Sequence, residues 1–108
     1  MTKAAATWWL YLLACKDGRT YAGITIDVEA RFNVHISGKG SKFTRANPPI
    51  AIIGAQMFAN RSEASKAEHA LKQLDRPEKL AWARQYPLPH TRMLYRIRVE
   101  HISDQMTV

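Results

Sequence analysis

Trp8-Trp9-Leu10-Tyr11-Leu12-Leu13-Ala14-Cys15-Lys16-Asp17-Gly18-Arg19-Thr20-Tyr21-Ala22-Gly23-Ile24 holds two strand-like runs on either side of a turn. Residues 8 to 15 are apolar and aromatic, which suits a buried strand, and residues 19 to 25 read as its return. Asp17-Gly18 is a strong hairpin signal. The pairing decides where Tyr11 and Tyr21 go. A two-residue Asp17-Gly18 loop sets Ala14 opposite Tyr21 and sends Tyr11 to the other side of the sheet. A three-residue loop, with Gly18 in the left-handed bulge position, sets Leu13 opposite Tyr21, and both phenols then share one face. A shared site therefore requires the three-residue loop.

Outward from the hairpin, Asp27 is a good N-cap for a first helix that stops at Gly38, with Val28, Phe32 and Ile36 as its apolar stripe. A basic, glycine-bearing loop follows over residues 38 to 45, closed by Pro48-Pro49. Ile50 to Phe58 is a nearly continuous apolar run, expected as a strand covered on both faces. Ser62 can cap a second helix with Ala64, Ala67, Leu71 and Leu74 as its stripe. Asp75-Arg76-Pro77-Glu78 starts a third helix with a capping-box pair, running to about Gln85. Pro87 and Pro89 end it, and Tyr95, Ile97 and Val99 alternate with charged residues as a last strand. The expected fold class is α+β: a small, mainly antiparallel sheet, made of the hairpin plus a central strand, flanked by about three helices, with an extra C-terminal strand.

With 108 residues there is room for one domain, and 46% hydrophobic residues suffice for one core. Sixteen Lys and Arg against nine Asp and Glu give a formal charge of +7, which favours a polyanionic partner. The single cysteine, Cys15, excludes an internal disulfide and a cysteine-based zinc site, in keeping with a reducing cytoplasm. Leu12-Leu13-Ala14-Cys15 has the look of a lipoprotein cleavage site, but the stretch before it is short and rich in Trp and Tyr, and cleavage would remove Tyr11.

Arg31 and His35 are four apart and share a helix face beside the apolar stripe. Arg can grip a phosphate through two parallel hydrogen bonds, and His can donate to an oxygen or exchange a proton near neutral pH. A solvated helix face explains the same spacing. Glu68 borders the stripe of the second helix, where a carboxylate can hold Mg²⁺ beside a phosphate or simply pair with a surface cation. Glu63 falls in that helix's first turn, where the dipole already accounts for it. In the 38 to 45 loop, Lys39, Lys42 and Arg45 supply charge for a phosphate backbone, and Phe43 either stacks on a base or tucks under the loop. The loop lacks the phosphate-loop pattern of nucleotide hydrolases, and no Gly-x-Ser-x-Gly elbow occurs.

Together these pieces resemble the GIY-YIG nuclease domain, in particular its small single-domain bacterial branch. Trp9-Leu10-Tyr11 stands where the first triplet would be and Tyr21-Ala22-Gly23 where the second would be. Gly23-Ile24-Thr25, Asp27-Val28-Glu29, the run from Arg31 to His35, Ser37-Gly38-Lys39-Gly40, Lys42-Phe43-Thr44-Arg45 and Arg61-Ser62-Glu63-Ala64 follow in that branch's order, with Glu68 after them. The resemblance implies that Tyr21 activates the attacking water, Tyr11 orients it, Arg31 stabilises charge on the scissile phosphate, His35 supports the phosphate or leaving group, and Glu68 holds a single divalent metal, Mg²⁺ or Mn²⁺. Gly23 and Thr44 join Lys39, Lys42, Phe43 and Arg45 as the expected nucleic-acid-binding set. Trp9 replaces a glycine of the first triplet, Ala22 an isoleucine of the second, and Ile24 stands where many relatives carry a basic residue.

The expectation is a nuclease-like domain over residues 1–86, with 87–108 an extension of the same compact unit. It would be a cytoplasmic, metal-dependent endonuclease acting on DNA by shape or strandedness, in DNA repair or processing, with no membrane partner and no small-molecule cofactor. Two rivals stand beside it. One is a DNA- or RNA-binding module with a degenerate site; the other is a domain whose tyrosines are hairpin core and whose charge serves solubility.

Overall fold

The computed structural model describes residues 7–88. In chain order these form β1 (Trp8–Cys15), β2 (Thr20–Thr25), α1 (Val28–Ile36), α2 (Lys42–Ala46), β3 (Pro49–Phe58), α3 (Arg61–Lys72) and α4 (Arg76–Gln85). The strands make one antiparallel sheet of order β2-β1-β3, so the fold is α+β with the aromatic β1 at its centre and β2 at an edge. The C-terminal strand expected at Tyr95 to Val99 lies outside the described residues.

The hairpin closes through three residues. Cys15 N–H donates to the Arg19 carbonyl at 2.8 Å, Gly18 N–H donates to the Cys15 carbonyl at 3.0 Å, and Gly18 has φ of +89°. That conformation is open to glycine without steric cost. Leu13 consequently faces Tyr21, and Tyr11 faces Gly23. Arg76 Nε, at the start of α4, donates to the Gly18 carbonyl at 3.0 Å and ties the turn to the helical layer.

Because side chains alternate along a strand, β1 feeds two cores. Tyr11 and Leu13 pack with Val28 and Phe32 of α1, with Ile52 and Ala55 of β3, and with Leu88. Leu10 and Leu12 pack on the opposite face with Leu71 of α3 and Ala83 of α4. β3 has an extra residue against β1 between Leu12 and Leu13, a bulge at Ile53 that puts Ile53 in the core of Leu12 while Ile52 joins that of Leu13. At Gly54 an added Cβ would run into the Ala83 backbone at 2.8 Å, so α4 lies directly against β3 there.

Three local details differ from the sequence reading. The stretch taken as a basic loop contains α2, whose N-cap Ser41 accepts from Thr44 N–H. The N-cap of α3 is Asn60, which accepts from Glu63 N–H at 2.9 Å; Ser62 is already inside the helix. The buried stripe of α1 is Val28, Phe32 and His35, while Ile36 faces solvent. A histidine enters a core position because partners await both of its ring nitrogens, as the site shows. α4 has the anticipated capping box, with Asp75 and Glu78 each accepting from the other's backbone N–H.

Candidate active site

The shared face of the hairpin brings the Tyr11 and Tyr21 rings to 6.5 Å between centroids. Tyr11 is only 2% exposed, and its ring lies across Gly23 on the edge strand. A Cβ at Gly23 would overlap the Tyr11 hydroxyl, so the absence of a side chain there lets the phenol reach the sheet edge. Burial, with a smaller push from neighbouring Tyr21, raises the Tyr11 pKa to about 12, although a hydrogen bond from Arg31 pulls the other way.

Behind Tyr11 runs a buried chain of polar groups. The Tyr11 hydroxyl meets His35 Nε2 at 3.0 Å, and His35 Nδ1 meets Thr44 Oγ1 at 2.8 Å. Thr44 Oγ1 donates to the Ser41 carbonyl at 3.1 Å. A hydroxyl has one proton, so with that proton on the Ser41 carbonyl Thr44 accepts from His35 Nδ1–H. His35 Nε2 is then an acceptor, and Tyr11 donates to it. The Tyr11 lone pairs are left to face Arg31 and the cavity. Burial, and secondarily the Arg31 cation, lower the His35 pKa and keep the ring neutral, as this chain needs. A Cβ at Gly40 would collide with His35 Nδ1, so Gly40 makes room for the ring.

On the outer side of Tyr11 is a cavity of about 440 Å³ at the β2 edge. Its walls include Tyr11 of β1, Tyr21 and Gly23 of β2, Arg31 of α1, and Arg61, Ser65 and Glu68 of α3. α1 and α3 cover opposite faces of the sheet, and their side chains meet around the edge strand. Tyr11, Tyr21, Arg31 and Glu68 thus converge from four elements. His35 does not line this cavity: it is 1% exposed and touches Tyr11 and Thr44 instead. Glu68 lies 3.4 Å from Lys72 Nζ, one helical turn on.

The expected nucleic-acid set divides. Lys39, Lys42 and Arg45 are exposed. Phe43 is half-buried and stacked on Tyr21, centroids 5.8 Å apart, so its ring is engaged by protein. Thr44 is buried beneath His35, and Gly23 beneath Tyr11. Arg61, Ser65 and Gly40 were missed. Arg61 and Ser65 are seven and three residues before Glu68, hence on its helical stripe, a signal available in the sequence. Gly40 stood in the motif Ser37-Gly38-Lys39-Gly40, but nothing local marked it as the residue that makes room for His35.

Among the described residues Glu68 is the one carboxylate lining the cavity, and no group of three or more His, Cys, Asp or Glu suited to a metal occurs. A single hard oxygen donor beside phenol oxygens fits a cation that keeps most of its water, as Mg²⁺ does, and does not fit a caged zinc. Cys15 is buried, and burial, with a smaller push from Asp17, raises its pKa to about 11, so it offers no thiolate nucleophile.

A three-stranded sheet whose paired tyrosines, arginine and helical glutamate gather at one edge defines a nuclease-type domain, and the chain belongs to the GIY-YIG catalytic domain family, whose sequence model matches residues 7–81. More particularly, it is similar to small, single-domain bacterial proteins designated UPF0213. It is 49% identical to one from Xanthomonas axonopodis pv. citri over 78% of this chain and 82% of that one. It is 46% identical to another from Cupriavidus necator, over 78% and 91%. A solution NMR structure of a protein from E. faecalis matches with a TM-score of 0.53 and 37% identity, over 84% of this chain and 97% of that one. The family implies a nucleic acid as binding partner. Among the described residues no helix is long and apolar enough to cross a membrane.

Proposed function

We propose that the edge cavity hydrolyses DNA phosphodiester bonds, with Glu68 holding one Mg²⁺ or Mn²⁺. One observation carries this reading: Tyr11, Tyr21, Arg31 and Glu68 line a single cavity. Arg31 grips the scissile phosphate and offsets charge as it develops there. Tyr21, half-buried at the wall, takes up the proton of the attacking water as base or relay. Tyr11, its own proton directed to His35, accepts a hydrogen bond from that water and orients it. His35 acts through Tyr11 and is a positioning residue. A bound divalent cation supplies Lewis-acid stabilisation of the phosphate and leaving oxygen. Lys39, Lys42 and Arg45 add backbone attraction beside the site. Substrate choice rests on shape or strandedness, in DNA repair or processing in the cytoplasm, where one buried cysteine suits reducing conditions.

A second reading, a nucleic-acid-binding module without cleavage, is favoured by one observation: Glu68 is already paired with Lys72. Labelled single-stranded, duplex and branched DNA, incubated with Mg²⁺, Mn²⁺ or chelator, separates the two. We expect cleavage that chelator abolishes and that Glu68→Ala and Tyr21→Phe each lower by about 10²-fold or more. Binding without cleavage in every arm would establish the module. Full metal-dependent cleavage by Tyr21→Phe would sink the role given to Tyr21.

A further inference from the structure

Beside the catalytic cavity lies a second depression of about 620 Å³ on the exposed surface of α3, lined by Arg61, Ser62, Ser65, Lys66 and His69. The two hollows share Arg61 and Ser65 and are therefore adjacent. The helical period explains the arrangement: Arg61, Ser65 and Glu68 form one stripe facing the cavity, and Ser62, Lys66 and His69 form the next stripe round the helix. The Arg61 guanidinium stands over the Trp8 ring, 5.6 Å from its centroid, which holds the cation at the junction. Among the described residues no carboxylate lines the second hollow, which offers two cations, two hydroxyls and an imidazole. Such a donor set suits phosphodiester oxygens. From Arg61 to His69 the helix rises about 12 Å. That is several times the ~3.4 Å axial spacing of phosphates along one strand of duplex DNA.

We infer that this face of α3 carries the backbone of the DNA strand out of the catalytic cavity, with Arg61 at the junction and Lys66 on a neighbouring phosphate. The path presupposes the nuclease reading only in taking DNA as the occupant of the cavity. The loop and α2 cations Lys39, Lys42 and Arg45 do not line it.

A 5′-labelled forked DNA, titrated by fluorescence anisotropy in chelator across roughly 50–200 mM salt, tests the path. Each lost phosphate contact should flatten the log K against log salt slope by about 0.7–0.9. Lys66→Ala and Arg61→Ala should each do so. Lys16→Ala, which removes an exposed cation from the hairpin turn, should leave the slope as in the wild type. Thermal unfolding of each variant checks the fold, and Lys66, being exposed, is the decisive position. A Lys66→Ala slope equal to the wild type, or a loss no larger than that of Lys16→Ala, overturns the inference. A chain that binds with the expected slopes but never cuts would defeat the nuclease reading and leave this path standing. Metal-dependent cleavage with a slope indifferent to Lys66 would defeat the path alone.

Discussion

Gly23 shows how much a missing methyl group can decide. It pairs with Tyr11 across the hairpin, and the Tyr11 hydroxyl occupies the place a Cβ would take. Gly23→Ala forces either the phenol or the edge strand to move. We expect a loss of about 1–3 kcal/mol in urea unfolding, typical of overpacking, with cleavage falling further than DNA binding because the Tyr11 hydroxyl is displaced. Unchanged stability and activity would show that the ring is not held against Gly23. The tyrosines, Arg31 and Glu68 were legible through the order of motifs that resemble the family, whereas spacing alone left Arg31 open to a solvated helix face and Glu68 to a surface ion pair. His35 was legible as chemistry but not in direction. Spacing set it on the same helix face as Arg31, yet Gly40 and Thr44, five and nine residues further along, turn it inward to hold Tyr11.

At the scale of elements, the hairpin register was the most exposed expectation. It was met: the three-residue turn with Gly18 at positive φ puts both phenols on one face. Helix starts were harder, because several residue types can cap and only one is correctly placed. Asn60 caps α3 by accepting from Glu63 N–H, and Ser62 lies two residues inside. Asn60→Ala should therefore cost about 1 kcal/mol by chemical denaturation, and Ser62→Ala a few tenths at most. The reverse order would return the cap to Ser62. α2 was read as loop since Gly38, Lys39 and Gly40 obscure a five-residue helix too short to show a period.

For the whole molecule, the buried neutral His35 links stability to pH. Its pKa is lowered on folding, so below about 6.5, the ordinary value, the unfolded chain takes up a proton that the native ring refuses. Stability is then full above that pH and declines as pH falls towards the depressed native value. The thermal midpoint should drop between about pH 7 and pH 5.5, and ring signals of His35 in an NMR titration should stay neutral below the ordinary histidine midpoint. A His35 that titrates at or above 6.5 would refute the link.

The sequence by itself determined the strand and helix types, the hairpin as a motif, the charge that calls for a polyanion, and four of the residues at the cavity. The first three follow from local propensity, side-chain period and residue chemistry, which neighbours along the chain express; the four residues follow from the order of motifs that resembles the family. Only the tertiary structure decided that Glu68 from one face of the sheet meets Tyr11 and Arg31 from the other. It also decided that Phe43 and Thr44 serve Tyr21 and His35, and that Arg61 joins the cavity to the basic face of α3. Those relations pass around an edge strand between residues far apart in the chain, and no local period records which of them will touch.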